Sequence, residues 1–318
     1  MPGEIQRLRE PVEGGEYFLY VPSRYDAKQA WPVVVTCHGT EPWDTADRQI
    51  KEWADLGENK RFIAAAPFLK GTRGDFIPRP PEQIELQERD ERTILAVLDH
   101  IRAGYNVAED RIFLTGWSGG GFAVLFTGLR HPEVFRALAV RQGTFDARFV
   151  RPCLPLADPH QPVYVLYGTL DILTKDQSKK CLRWLRENRL FALEEETVGS
   201  HRRHPELAYQ FFRRCIRQYP WIQPAAYRVA PEDPLSVQFR VRCSPAAEAY
   251  LWRFGDEQYS REPAPIHRYA QPGRYEVKLT VRLEDDRQHA RSLLIDVPTG
   301  RTTSSEHRFP SDAKAGSE

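Results

Sequence analysis

The run Arg111-Ile112-Phe113-Leu114-Thr115-Gly116-Trp117-Ser118-Gly119-Gly120-Gly121 constrains this chain more than any other segment, because a short apolar strand pattern passes straight into Gly-x-Ser-x-Gly and then into a helical pattern. A strand-to-helix turn of that kind holds one side chain out at its apex and crowds the backbone around it. Gly116, Gly119 and Gly120 relieve that crowding. A serine hydroxyl is a weak nucleophile unless it is so displayed, with a base to take its proton and a backbone N–H to steady an oxyanion. Ser118 is therefore the candidate nucleophile, and Gly119 a candidate oxyanion donor.

The other parts such chemistry needs follow from where strands end. Trp31-Pro32-Val33-Val34-Val35-Thr36-Cys37-His38-Gly39-Thr40 reads as a buried β-branched strand closed by a glycine, as in a parallel sheet covered on both faces. The backbone beyond it can supply a second N–H, which makes Thr40 the other candidate donor, while His38 reads as structural. Pro162-Val163-Tyr164-Val165-Leu166-Tyr167-Gly168-Thr169-Leu170-Asp171 is another buried strand with a carboxylate just past its end. Functional groups of open parallel sheets gather there, so Asp171 is the candidate acid, and Asp176 the better helix-capping residue. After an edge strand over Phe191 to Val198 comes a loop holding His201 and His204. Pro205 suits the first turn of the next helix, which ties His204 to the helix start and leaves His201 as the candidate base. Without carboxylate or cysteine partners the two histidines make no zinc ligand set, and no metal site is expected.

With these residues in the chain order Ser, Asp, His, the run from Tyr17 to about Tyr219 resembles the α/β-hydrolase superfamily. Within it, the likeness is to the esterase branch of polyhydroxybutyrate-depolymerase-like, feruloyl-esterase-like and dienelactone-hydrolase-like enzymes. Asp90-Glu91-Arg92, Tyr105-Asn106-Val107-Ala108-Glu109-Asp110-Arg111-Ile112 and His131-Pro132-Glu133-Val134-Phe135 match that branch as well. The resemblance implies carboxylic-ester hydrolysis through an acyl-enzyme, with no cofactor. The short His38-Gly39-Thr40-Glu41 segment departs from secreted polyester depolymerases and speaks against a polymeric polyester.

The helical spacing of Ile94, Leu95, Val97, Leu98 and Ile101 marks a sheet-packing helix, and Leu207, Ala208, Phe211, Phe212, Cys215, Ile216 and Tyr219 mark a second that closes the domain. Long proline-containing loops are expected over Gly71 to Gln87 and Thr144 to Gln161, with Phe76, Ile77, Phe149, Leu154 and Leu156 available to line an acyl pocket. After Trp221 the period changes. Pro224, Pro231 and Pro234 punctuate a linker, and Leu235 to Cys243 alternates with a period of two. Trp252-Arg253-Phe254-Gly255-Asp256, His267-Arg268-Tyr269, Pro272-Gly273-Arg274-Tyr275 and Val277 to Val281 resemble a PKD (polycystic-kidney-disease) repeat, with Glu257 where its loop usually has glycine. The expected organisation is a doubly wound, mostly parallel α/β sheet over residues 1–222, a Pro-rich linker over 223–234, a small all-β immunoglobulin-like sandwich over 235–297 and a disordered tail over 298–318.

Length and composition bound the partners. With 318 residues, 41% of them hydrophobic, the chain can bury a large core and hold two domains. Its 45 basic and 44 acidic residues leave a net charge of +1, which gives no case for nucleic acid. No apolar run reaches the roughly eighteen residues of a membrane-spanning helix. Met1 to Tyr20 carries charge throughout and no signal-peptide core, and Cys37, Cys153, Cys181, Cys215 and Cys243 read as free buried thiols; both features favour the cytoplasm. The PKD resemblance implies the opposite, an exported protein touching polysaccharide or protein. An ester substrate, small or polymer-attached, is the expected partner. The competing readings are a prolyl-oligopeptidase-like peptidase and an inactive hydrolase-fold scaffold with a PKD binding module.

Overall fold

The computed structural model describes residues 1–72, 80–230 and 232–298. The chain divides into two units, Met1–Tyr219 and Pro220–Glu318. The first is built, in order, from β1 (Ile5–Arg9), β2 (Glu16–Tyr20), β3 (Trp31–Cys37), α1 (Ala46–Lys60), β4 (Ile63–Pro67), α2 (Pro80–Gly104), β5 (Val107–Trp117), α3 (Gly120–Arg130), β6 (Ala137–Arg141), α4 (Ala147–Val150), β7 (Val163–Gly168), α5 (Lys175–Glu187), β8 (Ala192–Thr197) and α6 (Pro205–Gln218).

These strands form one eight-stranded sheet in the order β1-β2-β4-β3-β5-β6-β7-β8. Strands β3 to β8 run parallel, and β1 and β2 add antiparallel at one edge. The doubly wound, mostly parallel sheet expected from the sequence is therefore present. Its central strands are apolar because helices cover both faces. On one face Ile94, Val97, Leu98 and Ile101 of α2 are fully buried with Val33, Val35, Leu114 and Val165. On the other, the aromatic stripe of α6 is core: Phe212 stacks on Phe113 at 4.5 Å and Phe211 on Tyr164 at 4.8 Å.

Some expectations are corrected. The segment Gly71 to Gln87 is not a loop throughout, since α2 begins at Pro80; Phe76 and Ile77 lie outside the described residues. Within Thr144 to Gln161, α4 and a 3-10 turn at Arg151–Cys153 fold back on the core. Phe149 is buried edge-on to Phe122, and Leu154 packs against the same core, so neither lines an open acyl pocket. Of the cysteines, Cys37, Cys153, Cys181 and Cys215 are buried and free, whereas Cys243 is half-buried.

The second unit holds β9 (Trp221–Ala230), β10 (Asp233–Ser244), β11 (Ala247–Arg253), β12 (Tyr259–Ser260), β13 (Ile266–Arg268), β14 (Gly273–Leu283) and β15 (Gln288–Val297). They make a three-stranded sheet β13-β10-β9 and a four-stranded sheet β12-β11-β14-β15, with Phe239, Trp252, Phe254, Tyr269 and Leu279 in their shared core. Most of the expected linker, residues 223–234, is strand. Pro224 sits opposite Val241 in β9, an edge strand whose outer side needs no N–H, so the proline breaks nothing. Glu257 keeps the left-handed backbone of the glycine it replaces, with φ at 70°. The neighbouring Asp256 carboxylate binds His267 Nε2 at 2.7 Å, and that imidazole stacks on Phe254 at 4.0 Å. Residues 299–318, most of the expected disordered tail, lie outside the described residues.

Candidate active site

Ser118 stands between β5 and α3 with φ at 53°, a left-handed conformation that costs a non-glycine residue on the order of 1 kcal/mol or more. The turn is held by its own backbone: Ser118 N donates to Arg141 O at 3.2 Å, and Ser118 O accepts from Gly121 N and Thr144 N, both at 3.0 Å. A Cβ on Gly120 would lie 2.5 Å from Cys37 O, so only glycine lets the start of α3 pass this close to the end of β3.

That close approach brings the Thr40 and Gly119 segments together. A Cβ on Gly119 would fall 2.7 Å from Thr40 Oγ1 and 3.2 Å from Thr40 N. The loop after β3 is shaped by two buried side chains. His38 is fully buried, its Nδ1 2.8 Å from Gly39 O and its Nε2 accepting from Leu69 N at 2.9 Å, which is the structural role expected of it. Asp44 Oδ2 accepts from Gly39 N at 2.6 Å and from Gln49 Nε2 at 2.7 Å.

Asp171 follows β7 and is buried. Its Oδ1 accepts from Leu173 N and Thr174 N at 3.0 and 3.1 Å; its Oδ2 meets His201 Nδ1 at 2.9 Å and Thr174 Oγ1 at 2.5 Å. Burial is the largest influence on this carboxyl and opposes ionisation. The hydrogen bonds from Thr174 and His201 together outweigh it and hold the acid below its ordinary value. Asp171 thus combines the two roles that had been opposed, orienting a histidine and accepting the amides before α5, while Asp176 lies inside that helix.

His201 Nε2 is buried and has no hydrogen-bond partner among the described residues. The ring packs against Trp117 at 4.5 Å between centroids, which sets the imidazole against the residue that precedes Ser118. Across the elbow the arrangement is therefore a fixed His201–Asp171 pair and a strained Ser118, with no hydrogen bond from Ser118 to Nε2. His204 takes the N-cap position of α6 in left-handed conformation with Pro205 next, as its spacing implies. A cavity of about 670 Å³ borders His201 and Trp117, bounded by Glu52 and Asp55 of α1 and by Arg203 and His204.

Three supporting residues carry no local sequence signal. Arg141, fully buried at the end of β6, donates to Thr115 Oγ1, Thr36 Oγ1, Gln49 Oε1 and Arg203 O, and burial lowers its guanidinium to about 10. Arg203 pairs with Asp44 at 2.9 Å and Glu52 at 3.0 Å, and its guanidinium covers the Trp117 ring at 4.7 Å. Gln142 bonds the loop on both sides of His201.

Two family models match parts of the chain: a PKD domain over residues 219–297 and the prolyl oligopeptidase family over residues 85–151. A relative, poly(3-hydroxyalkanoate) depolymerase C of Paucimonas lemoignei, is 25% identical over 127 residues, 39% of this chain and 30% of its own length; the match thus spans under a third of that protein. Among solved structures, a ferulic acid esterase from Anaeromyces mucronatus superposes with a TM-score of 0.51 at 14% identity, covering 66% of this chain and 87% of its own. One described as a dipeptidyl aminopeptidase IV from Bacteroides ovatus gives 0.52 at 15% identity over 68% of this chain and 35% of its own. Both are similarities of fold.

Proposed function

We propose that this chain, an α/β-hydrolase of the serine esterase and peptidase type with a C-terminal PKD domain, cleaves carboxylic esters through an acyl-enzyme on Ser118. The observation that carries the reading is the His201–Asp171 contact of 2.9 Å beside a serine held at φ 53°, with His201 Nε2 buried and unpaired among the described residues. An ionised Asp171 accepts a hydrogen bond from Nδ1–H and so keeps Nε2 as the lone-pair nitrogen. Nε2 takes the Ser118 proton as the hydroxyl attacks the ester carbonyl, and Asp171 stabilises the imidazolium that forms. The Thr40 and Gly119 amides hold the tetrahedral oxyanion. His201 then returns the proton to the departing alcohol, and water repeats the sequence to release the acid.

The depolymerase and ferulic acid esterase named above support the ester reading. The prolyl oligopeptidase match over residues 85–151, which includes the elbow, favours a second reading in which the same groups cleave an amide. Labelling of purified protein with a fluorophosphonate probe, beside Ser118→Ala, tests both. Labelling lost in the variant, with turnover of short-chain nitrophenyl esters and none of peptide nitroanilides, is the expected result. Preferential turnover of the anilides selects the peptidase. Folded protein that neither labels nor turns over either substrate leaves the scaffold reading. The PKD domain is proposed to add contact with polysaccharide or protein.

A further inference from the structure

We propose that Gln142 is a positioning residue for His201, a role that rests on the reading of His201 as the base. Gln142 follows β6, is fully buried, and adopts a left-handed backbone with φ at 48°. A long polar side chain held buried in a strained conformation calls for a compensating interaction. Its carboxamide provides one at each end. Nε2 donates to Ser200 O at 3.1 Å, and Oε1 accepts from Arg202 N at 2.5 Å.

These are the residues on either side of His201, so one rigid amide plane spans the histidine's backbone. Its orientation is forced: Ser200 O only accepts and Arg202 N only donates, and a flipped amide would oppose like groups at both ends. The side chain passes over Gly168 at the end of β7, where a Cβ would stand 3.0 Å from Nε2, so a larger residue there would crowd it. The backbone of Gln142 is itself tied to the acid's segment. Gln142 N donates to Leu166 O at 2.7 Å, and Gln142 O lies 2.8 Å from Thr174 Oγ1, which also contacts Asp171 Oδ2 at 2.5 Å.

Gln142 therefore links the segments that carry Asp171 and His201 and, through the adjacent Arg141 O, the Ser118 amide. It touches no reacting atom. What it fixes is the height and rotation of the imidazole over the elbow, and a displacement of about 1 Å there costs on the order of 10²-fold in rate.

The test uses the full chain with Gln142→Met, which keeps length and loses both hydrogen bonds, and Gln142→Gly, which suits the left-handed backbone while removing the clamp. Two readouts are taken on each: ester kinetics, and the His201 Nδ1–H proton in ¹⁵N-histidine-labelled protein. The expected result is a fall in kcat of about 10- to 100-fold with KM within about twofold in both variants, and a broadened or shifted Nδ1–H resonance while the melting transition is retained. Wild-type kcat together with an unmoved resonance in Gln142→Gly overturns the proposal, as does a loss that tracks only the fraction of folded protein. Should wild-type protein lack Ser118-dependent labelling, the esterase reading fails by itself. The resonance still reports whether Gln142 holds His201.

Discussion

His201 Nδ1 lies 2.9 Å from Asp171 Oδ2, while Nε2 of the same ring is buried and has no hydrogen-bond partner among the described residues. A carboxylate can only accept, so the contact assigns the Nδ1–H tautomer and leaves Nε2 able to take a proton. Asp171→Asn retains the packing but permits the opposite tautomer. The expected outcome is a kcat about 10³- to 10⁴-fold lower with KM little changed, measured on a nitrophenyl ester. Because the Asp171 carboxyl is held below its ordinary value, its hydrogen-bonded carboxylate contributes stability above the carboxylate range and loses it only as pH falls through that lowered value. Asp171 protonation therefore does not set an activity limit between pH 5 and 8.

Gly119 tests the oxyanion pocket. In Gly119→Ala the new methyl meets Thr40 Oγ1 and the Thr40 amide, forcing apart the two donors proposed to bind one oxygen. The expected loss is about 10²- to 10³-fold in kcat. Fluorophosphonate labelling should slow in parallel, since that adduct places an oxygen in the same pocket.

Arg203 and Asp44 join the segment after His201 to the segment before α1, and the Asp44 side chain has no exposed surface. Arg203→Met leaves that carboxylate without its cation and is expected to cost about 3 kcal/mol in denaturant unfolding. Asp44→Asn in the same chain should recover part of the loss, the signature of a coupled pair in a double-mutant cycle.

His131, at the end of α3, lies between Glu91 at 2.8 Å and Glu133 at 3.0 Å. Burial, the largest influence, disfavours its charge, but the two carboxylates prevail and raise it to about 9. Its stabilising contribution is complete below the unfolded histidine value of about 6.5 and disappears as pH rises through about 9. Over that window wild-type unfolding free energy should fall by up to about 3 kcal/mol relative to His131→Asn, followed by urea midpoints at several pH values.

Four exposed apolar side chains flank the pair: Leu170 at 68%, Ile172 at 95% and Leu173 at 61% around Asp171, and Val198 at 91% before His201. Their concentration on these two segments predicts a preference for apolar ester groups. Ile172→Ser should raise KM for a long-chain nitrophenyl ester about fivefold while leaving the acetate unchanged.

The residues proposed for the chemistry were legible because each sits where a local pattern ends. Ser118 follows an apolar strand and precedes a small-residue helix, Asp171 follows a buried strand closed by Gly168, and His201 is separated from the helix start by His204-Pro205. Glycine in a crowded strand-to-helix turn, such as Gly116 against the Gly120 backbone, and proline at the first helical turn follow from backbone sterics, which neighbours in sequence determine. Strand β9 is hidden in the sequence because Pro224 within it, with Pro231 and Pro234 just beyond, reads as a linker, and only pairing with β10 makes it a strand. Strand β6 carries little signal of its own: it is short, alanine-rich and ends in Arg141, a charge that is stable in the core only with Thr36, Gln49, Thr115 and Arg203 O around it.

Sequence alone thus determined the parallel sheet, the order of nucleophile, acid and base candidates, and the change to an all-β second unit. Tertiary structure decided what holds those candidates in place. Asp44 and Arg203 are 159 positions apart, and Gln142 and Arg202 are 60 apart. Hydrogen bonds and ion pairs of that kind leave no periodicity behind, because their partners become neighbours only when parallel strands set their carboxyl ends side by side.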